Sequence, residues 1–203
     1  MSRQDFLQRR AAAKRVAVLA AARDRFATDG FERANMERIA HDAQVSTATL
    51  YRQFPSKIDL FQAVLAQSVV AFETELAAAA ERTPRQRIEA LAHAYAHTLD
   101  DPFNAGILRA VFSAAPTSPE VATAFYEHVK RVVAGAFHEA MAAAATARLI
   151  VAADDPGQPG GHLMGMVEHA ILWRRLLQNT PGPQPPDEIA AAALLRFWRA
   201  YGV

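Results

Sequence analysis

The sequence contains no cysteine. A disulfide scaffold, a cysteine-ligated zinc module and a cysteine nucleophile are therefore excluded. No apolar run reaches the 18 or so uncharged residues that a membrane-crossing helix needs, so no membrane partner is expected. The N-terminus runs basic after Asp5, without an apolar segment and small-residue cleavage site, so a secretory signal is not expected and a cytoplasmic location is. Glycine is scarce, at 9 of 203 residues. No glycine-rich phosphate loop and no nucleophile motif is found, which weighs against an enzyme. Alanine is abundant instead, with 45 residues, most of them in stretches free of glycine and proline. Because alanine is the strongest helix former, an all-α fold of about nine helices is predicted. With 51% hydrophobic and 21% charged residues, the chain has enough apolar material for a core.

The net charge of +1 conceals an asymmetry. Residues 1–57 hold 11 Lys+Arg against 6 Asp+Glu, and residues 58–203 hold 11 against 15. A basic first third on an acidic body points to an anionic partner at one end, nucleic acid first.

Helical periodicity begins near Arg9 and runs to Asp29, with residues 1–8 read as an arm outside it. Gly30 can take a positive φ and end that helix, and Phe31 folds back as an apolar plug. Asn35 is a suitable N-cap for a short helix, Met36 to Asp42, and Ala43-Gln44-Val45 makes a tight turn. Ser46 caps a second short helix, Thr47 to Gln53, which Phe54-Pro55 ends. Ser56 then caps a long helix predicted to run from Lys57 to about Arg82, with Asp59 where a capping box has its acid. Further helices are predicted from Pro84, Pro102, Pro119, His162 and Asp187 onward.

The stretch from Met36 to Lys57 carries the function. A short helix, a tight turn and a second short helix, with Ile39, Ala40, Val45 and Leu50 between them, form a helix-turn-helix pattern. The second helix places short side chains (Thr47, Ala48, Thr49) at its front, where base edges are approached. Tyr51 and Arg52 follow, able to reach phosphates. Lys57, at a helix N-terminus, adds a cation where the helix dipole already favours phosphate.

Three blocks, Val18 to Phe31, Ile39 to Ser46 and Leu50-Tyr51-Arg52-Gln53-Phe54-Pro55-Ser56-Lys57, closely resemble the DNA-binding domain of the TetR family of bacterial transcriptional regulators. The resemblance covers about residues 12–70. It implies a helix-turn-helix domain at 9–56 and a larger helical ligand-binding and dimerisation domain at 57–203. It also implies double-stranded DNA as partner, with Thr47, Ala48 and Thr49 facing bases. Ser46, Tyr51, Arg52 and Lys57 would hold phosphates, helped by Asn35. The sequence departs from the family pattern at Gln44, where glycine is usual. If that position takes a positive φ, the substitution costs roughly 1 kcal/mol. Arg9, Arg10, Lys14 and Arg15 form a basic cluster that suits either a DNA-contacting arm or a solvated helix face.

The resemblance further implies a homodimer formed by the last two helices, and Leu163, Val167, Ile171, Leu194, Phe197 and Trp198 are the candidate interface residues. An unknown small-molecule effector would bind among the preceding helices. The candidates are Phe72, Tyr95, Leu99, Phe103, Phe112 and Phe125, with Arg109, His128 and Trp173 as orienting polar groups. The same apolar residues suit a filled core, and spacing does not separate the two. Glu89, His93 and His97 fall on one helix face and would need further ligands from elsewhere to hold a metal, so no metal and no cofactor is predicted. The expected function is a homodimeric repressor released from a near-palindromic operator by a small molecule. An activator of the same fold, or a ligand-independent DNA-binding protein, is the alternative, and a helical enzyme is the third reading.

Overall fold

The computed structural model describes residues 3–79, 81–151, 155 and 157–203. The elements are α1 (Arg3–Arg33), α2 (Met36–Asp42), α3 (Thr47–Gln53), α4 (Lys57–Ser68), α5 (Val70–Ala78), α6 (Pro84–Asp100), α7 (Pro102–Ala114) and α8 (Pro119–Phe125). A π-helical segment, Tyr126–Lys130, leads into α9 (Arg131–Thr146), followed by α10 (Gln158–Gln178) and α11 (Pro186–Tyr201). Joining α4 to α5, and α8 through α9, gives nine helical runs among the described residues. The only β pairing there is an isolated bridge between Ile150 and Gly202. The chain is all-α, as its alanine content predicts.

Two runs differ from the predicted single helices. The helix from Lys57 stops at Ser68, and Val69 sits at φ −106, ψ −2 before α5 restarts. The interruption falls at Val69-Val70, where two β-branched residues are adjacent and helix propensity is reduced. The helix from Pro119 widens to π geometry at Tyr126–Lys130 before returning to α. At the N-terminus, α1 begins at Arg3, within the segment assigned to an arm.

The chain divides into two compact units. The first holds the residues up to Gln67 together with Gly106–Phe125, and the second holds Ser68–Ala105 and Tyr126–Val203. The first unit therefore extends well beyond residues 9–56.

In the first unit, Gly30 (φ 79, ψ 170) breaks α1 and lets Phe31 turn inward. Its ring packs 6.0 Å from Phe26 and 5.2 Å from Phe61, while Phe26 meets Phe61 edge-on at 4.9 Å. These three buried rings fasten both ends of the α1 break to α4. Gly106 of α7 lies so close to α1 that a Cβ there would stand 2.8 Å from the Ala27 Cβ. The second unit has a core drawn from α5, α6, α9, α10 and α11, with Phe72, Phe137 and Phe197 among its largest fully buried side chains.

Candidate nucleic-acid interface

The Asn35 side chain accepts a hydrogen bond from the Arg38 backbone N–H at 2.9 Å and starts α2, which buries Met36, Ile39 and Ala40. After Ala43 the backbone enters the left-handed region at Gln44, φ 54. The Gln44 N–H donates to the His41 carbonyl and the Val45 N–H to the Ala40 carbonyl, both at 3.0 Å. These two bonds form a Schellman cap. Gln44 thus occupies the conformation that glycine takes at least cost.

Ser46 Oγ accepts from the Thr49 N–H at 3.2 Å and starts α3. Phe54 ends it with an extended backbone and a buried ring. Leu50 is fully buried, and Thr47, Ala48, Tyr51 and Arg52 face outward. Thr49 departs from the expected pattern. It is only 9% exposed, and its Oγ1 lies 2.9 Å from Ser46 Oγ. Its side chain thus closes the cap at the start of α3 and is not part of the base-facing front. The spacing Ser46-x-x-Thr49, an N-cap and the third helical residue, is the sequence signal for this.

Two further side chains are engaged within the protein. The Lys57 ammonium donates to the Glu32 carbonyl at 2.9 Å and the Ala34 carbonyl at 3.5 Å, and stands 4.7 Å over the Phe31 ring. It satisfies carbonyls after the Gly30 break, where the helix leaves them without partners. The Tyr51 hydroxyl, on a half-exposed ring, donates to Glu37 Oε1 at 3.5 Å, an acidic neighbour the sequence did not single out. Arg25 braces α1 against α2 through Asp42 at 2.7 Å, and this hydrogen bond holds the Asp42 carboxyl below its ordinary range. The Arg15 guanidinium lies 4.6 Å over the Phe54 ring, which sets the N-terminal part of α1 beside the end of α3.

Other predicted residues fall in different places. In the second unit, Leu163, Val167, Ile171, Leu194 and Phe197 are buried in the chain's own core, and Trp198 is half-buried beneath the Arg85 guanidinium at 4.6 Å. The five buried side chains present no surface for another copy. The large apolar residues that α10 and α11 leave outside are Trp173, Leu177 and Leu195. An open groove of about 840 Å³ is lined by residues of both helices, Gly165, Met166, Ala170 and Ala193 among them. Trp173, a predicted effector contact, is thus a surface residue, and so is Phe112 of the first unit. Phe72, Tyr95 and Leu99 are buried, while Phe103, Arg109, Phe125 and His128 are half-buried.

The Tyr95 hydroxyl donates to Glu168 Oε1, and Lys130 Nζ donates to the same oxygen at 3.1 Å. Burial, reinforced by the Glu168 charge, pushes the Tyr95 phenol well above its ordinary range, so it stays protonated. Lys130 and Glu168 border a cavity of about 470 Å³, walled by Tyr126, Phe137, Gly160 and Met164. His93 Nδ1 and His97 Nε2 both meet Asp187 Oδ1, at 2.7 and 3.1 Å, and Glu89 pairs with Arg85 at 3.1 Å. Among the described residues, no group of three or more His, Cys, Asp or Glu is arranged to hold a metal. No helix among them is long and apolar enough to cross a membrane.

Comparison with known families gives two matches along the chain. Residues 18–64 match the model for bacterial regulatory proteins of the tetR family, and residues 86–203 match the C-terminal domain of AefR-like transcriptional repressors. The chain belongs to the TetR family. As a TetR-family member it carries the fold of a DNA-binding transcriptional regulator, with α2 and α3 as its helix-turn-helix. Solved structures agree in fold. A putative TetR-family transcriptional regulator from Mesorhizobium loti MAFF303099 is 21% identical, with a TM-score of 0.77 over 96% of this chain and 99% of that one. A TetR-family transcriptional regulator from Pseudomonas syringae pv. tomato str. DC3000 is 26% identical, with a TM-score of 0.73 over 93% and 97%. The flavonoid-responsive regulator FrrA is 24% identical, with a TM-score of 0.69 over the same shares. A search of curated protein sequences gives no match.

Proposed function

We propose that this chain is a cytoplasmic, homodimeric repressor that binds a near-palindromic operator and releases it when a small molecule occupies the second unit. The observation that carries the DNA-reading half is the exposed front of α3. Thr47 and Ala48 stand free of the core at its N-terminus, with Tyr51 and Arg52 one turn behind. Short side chains in front approach base edges, and the longer polar ones behind reach the backbone. The match of residues 86–203 to a family of repressors supports repression over activation.

A second copy of the chain is the proposed occupant of the groove on α10 and α11. Trp173, Leu177 and Leu195 lie outside the groove's lining but on the same two helices, and supply apolar area that a lone chain leaves in water. Two-fold symmetry suits a palindrome, and the two recognition helices must then stand about 34–36 Å apart to enter successive major grooves.

The cavity beside Lys130 and Glu168 is the proposed effector site. Its volume of about 470 Å³ suits a small organic molecule. Its apolar walls would hold the ligand's body, and Lys130 and Glu168 would orient its polar end. An effector that fits only the released arrangement shifts the population away from DNA. A coupling of about 1–3 kcal/mol weakens operator binding by roughly 5- to 150-fold. Glu168→Gln tests the effector site with no change near the helix-turn-helix: operator affinity should stay as in the wild type while ligand release weakens. Unchanged release by an identified effector would place the site elsewhere.

A further inference from the structure

The cavity beside Lys130 and Glu168 is lined by three bases, Lys130, Arg131 and His138, and by one acid, Glu168. That acid is already supplied with donors. Its Oε1 accepts from the buried Tyr95 hydroxyl and from Lys130 Nζ, the second at 3.1 Å. Tyr95 is fixed in turn, with its ring edge-on to Phe137 at 5.8 Å between centroids. Glu168 takes one of the three N–H donors of the ammonium and so holds the others at the cavity. Arg131 pairs with Glu127 at 2.8 Å, so its charge is met within its own helical run. Lys130 carries the surplus, and His138, about two turns further along, adds no negative charge in either protonation state. The polar end of a ligand here meets donors and cations, and must bring acceptors and negative charge.

Two features of the backbone mark the same place. The wall that bears Tyr126 and Lys130 is the π-helical segment Tyr126–Lys130. A π turn is rare and frequently marks a functional site. Just beyond it, Gly135 lines the cavity from inside α9. A glycine inside a helix lowers its stability relative to alanine. Packing does not call for it here, since a Cβ at Gly135 would meet no atom of the described residues within 4 Å. Gly160 on α10 differs, because its Cβ would stand 3.4 Å from the Phe137 Cβ. Gly135 therefore leaves its share of the cavity open, beside the apolar walls of Phe137 and Met164.

We propose that the molecule this cavity takes is an organic anion. Its flat, largely apolar body lies over Gly135 against Phe137 and Met164, and its carboxylate pairs with Lys130 Nζ. As the chemical class of the effector, this rests on the reading of the cavity as the effector site. A cationic ligand would have to compete with Tyr95 and Lys130 for Glu168. A neutral one would leave the surplus of positive charge unmet.

The test uses the full chain and three probes that share one ring system: naphthoate, its neutral amide naphthamide, and the cation naphthylmethylammonium. Each is titrated by calorimetry at neutral pH. The wild type should bind the acid about tenfold more tightly than the amide, and the amine most weakly. Lys130→Met should bind the acid no more tightly than the amide. Gly135→Leu should weaken acid and amide alike, by about tenfold or more, with a melting temperature no lower than that of the wild type. A wild type that binds the amide or the amine as tightly as the acid, or binds none of the three, would overturn the proposal. So would a Lys130→Met protein that keeps the preference for the acid, or binding unchanged in Gly135→Leu. The effector reading is tested apart from this, by adding naphthoate to the complex with operator DNA. The predicted binding pattern without release of DNA would count against that reading and leave the anion site standing.

Discussion

The hydroxyl groups of Ser46 and Thr49 lie 2.9 Å apart at the start of the recognition helix. They divide residues adjacent in sequence into two roles, with Thr49 closing the cap and Thr47 and Ala48 left to the groove. Removing the Thr49 hydroxyl with Thr49→Val should cost about 1 kcal/mol of stability and leave base preference unchanged. Thr47→Ala should leave stability nearly unchanged and relax discrimination at one operator position by about 1–3 kcal/mol if it makes a direct base contact. Urea denaturation and binding to a panel of single-base operator variants measure the two effects. A change of base preference in Thr49→Val would return that residue to the groove.

Gln44 holds φ 54 in the turn between α2 and α3. A side chain there is strained by roughly 1 kcal/mol, and glycine is not. Gln44→Gly should therefore raise the urea midpoint by an amount worth about 0.5–1 kcal/mol, with operator affinity kept. A lower midpoint would show that the turn gains more from the stiffer residue than it loses to strain.

Much of this was legible in the sequence because it is local. The caps at Asn35 and Ser46, the Ser56–Asp59 pair and the break at Gly30 are all set by residues within four positions of one another. Thr49 and Lys57 were harder to place. Each is a polar residue on a short helix, and its partner, not its type, decides which way it points. Lys57 finds carbonyls at Glu32 and Ala34, more than twenty residues away. The candidate interface residues were hard to place for a similar reason. An apolar stripe on α10 or α11 looks the same in sequence whether it meets α6 or another copy of the chain. Only the fold shows that Leu163, Val167 and Phe197 are already covered.

Glu32 accepts hydrogen bonds from Ser118 at 2.6 Å and Thr117 at 3.3 Å, chiefly the first of which holds its carboxyl below the usual glutamate range. A depressed carboxyl stabilises the fold above its unfolded-state value, about pH 4.3, and that contribution is lost as pH falls through the lower folded value. Glu32→Gln should therefore lower the melting temperature at neutral pH and flatten its decline below about pH 4.5. Parallel melting curves for the two proteins from pH 3 to 7 would show that the Ser118 contact contributes nothing.

Arg175 is buried at 7% exposure and pairs with Asp100 at 2.8 Å, and Asp100 also accepts from the Gly182 N–H at 3.2 Å. The pair ties the end of α6 to α10 and to the connector before α11. Breaking it leaves Asp100 without its buried counter-charge, so Arg175→Ala should cost about 3–5 kcal/mol. Chemical denaturation measures this, and a loss under about 1 kcal/mol would mean that water replaces the guanidinium.

The most direct measurement is anisotropy of the full chain on the DNA flanking its gene, with scrambled duplex as control and Tyr51→Phe and Arg52→Gln beside the wild type. Tight, salt-steep binding to one near-palindromic site, weakened in both variants with their fold intact, is the predicted result. Binding no tighter than to scrambled DNA, unchanged in both variants, would contradict the assignment of α3 as the reader of that DNA.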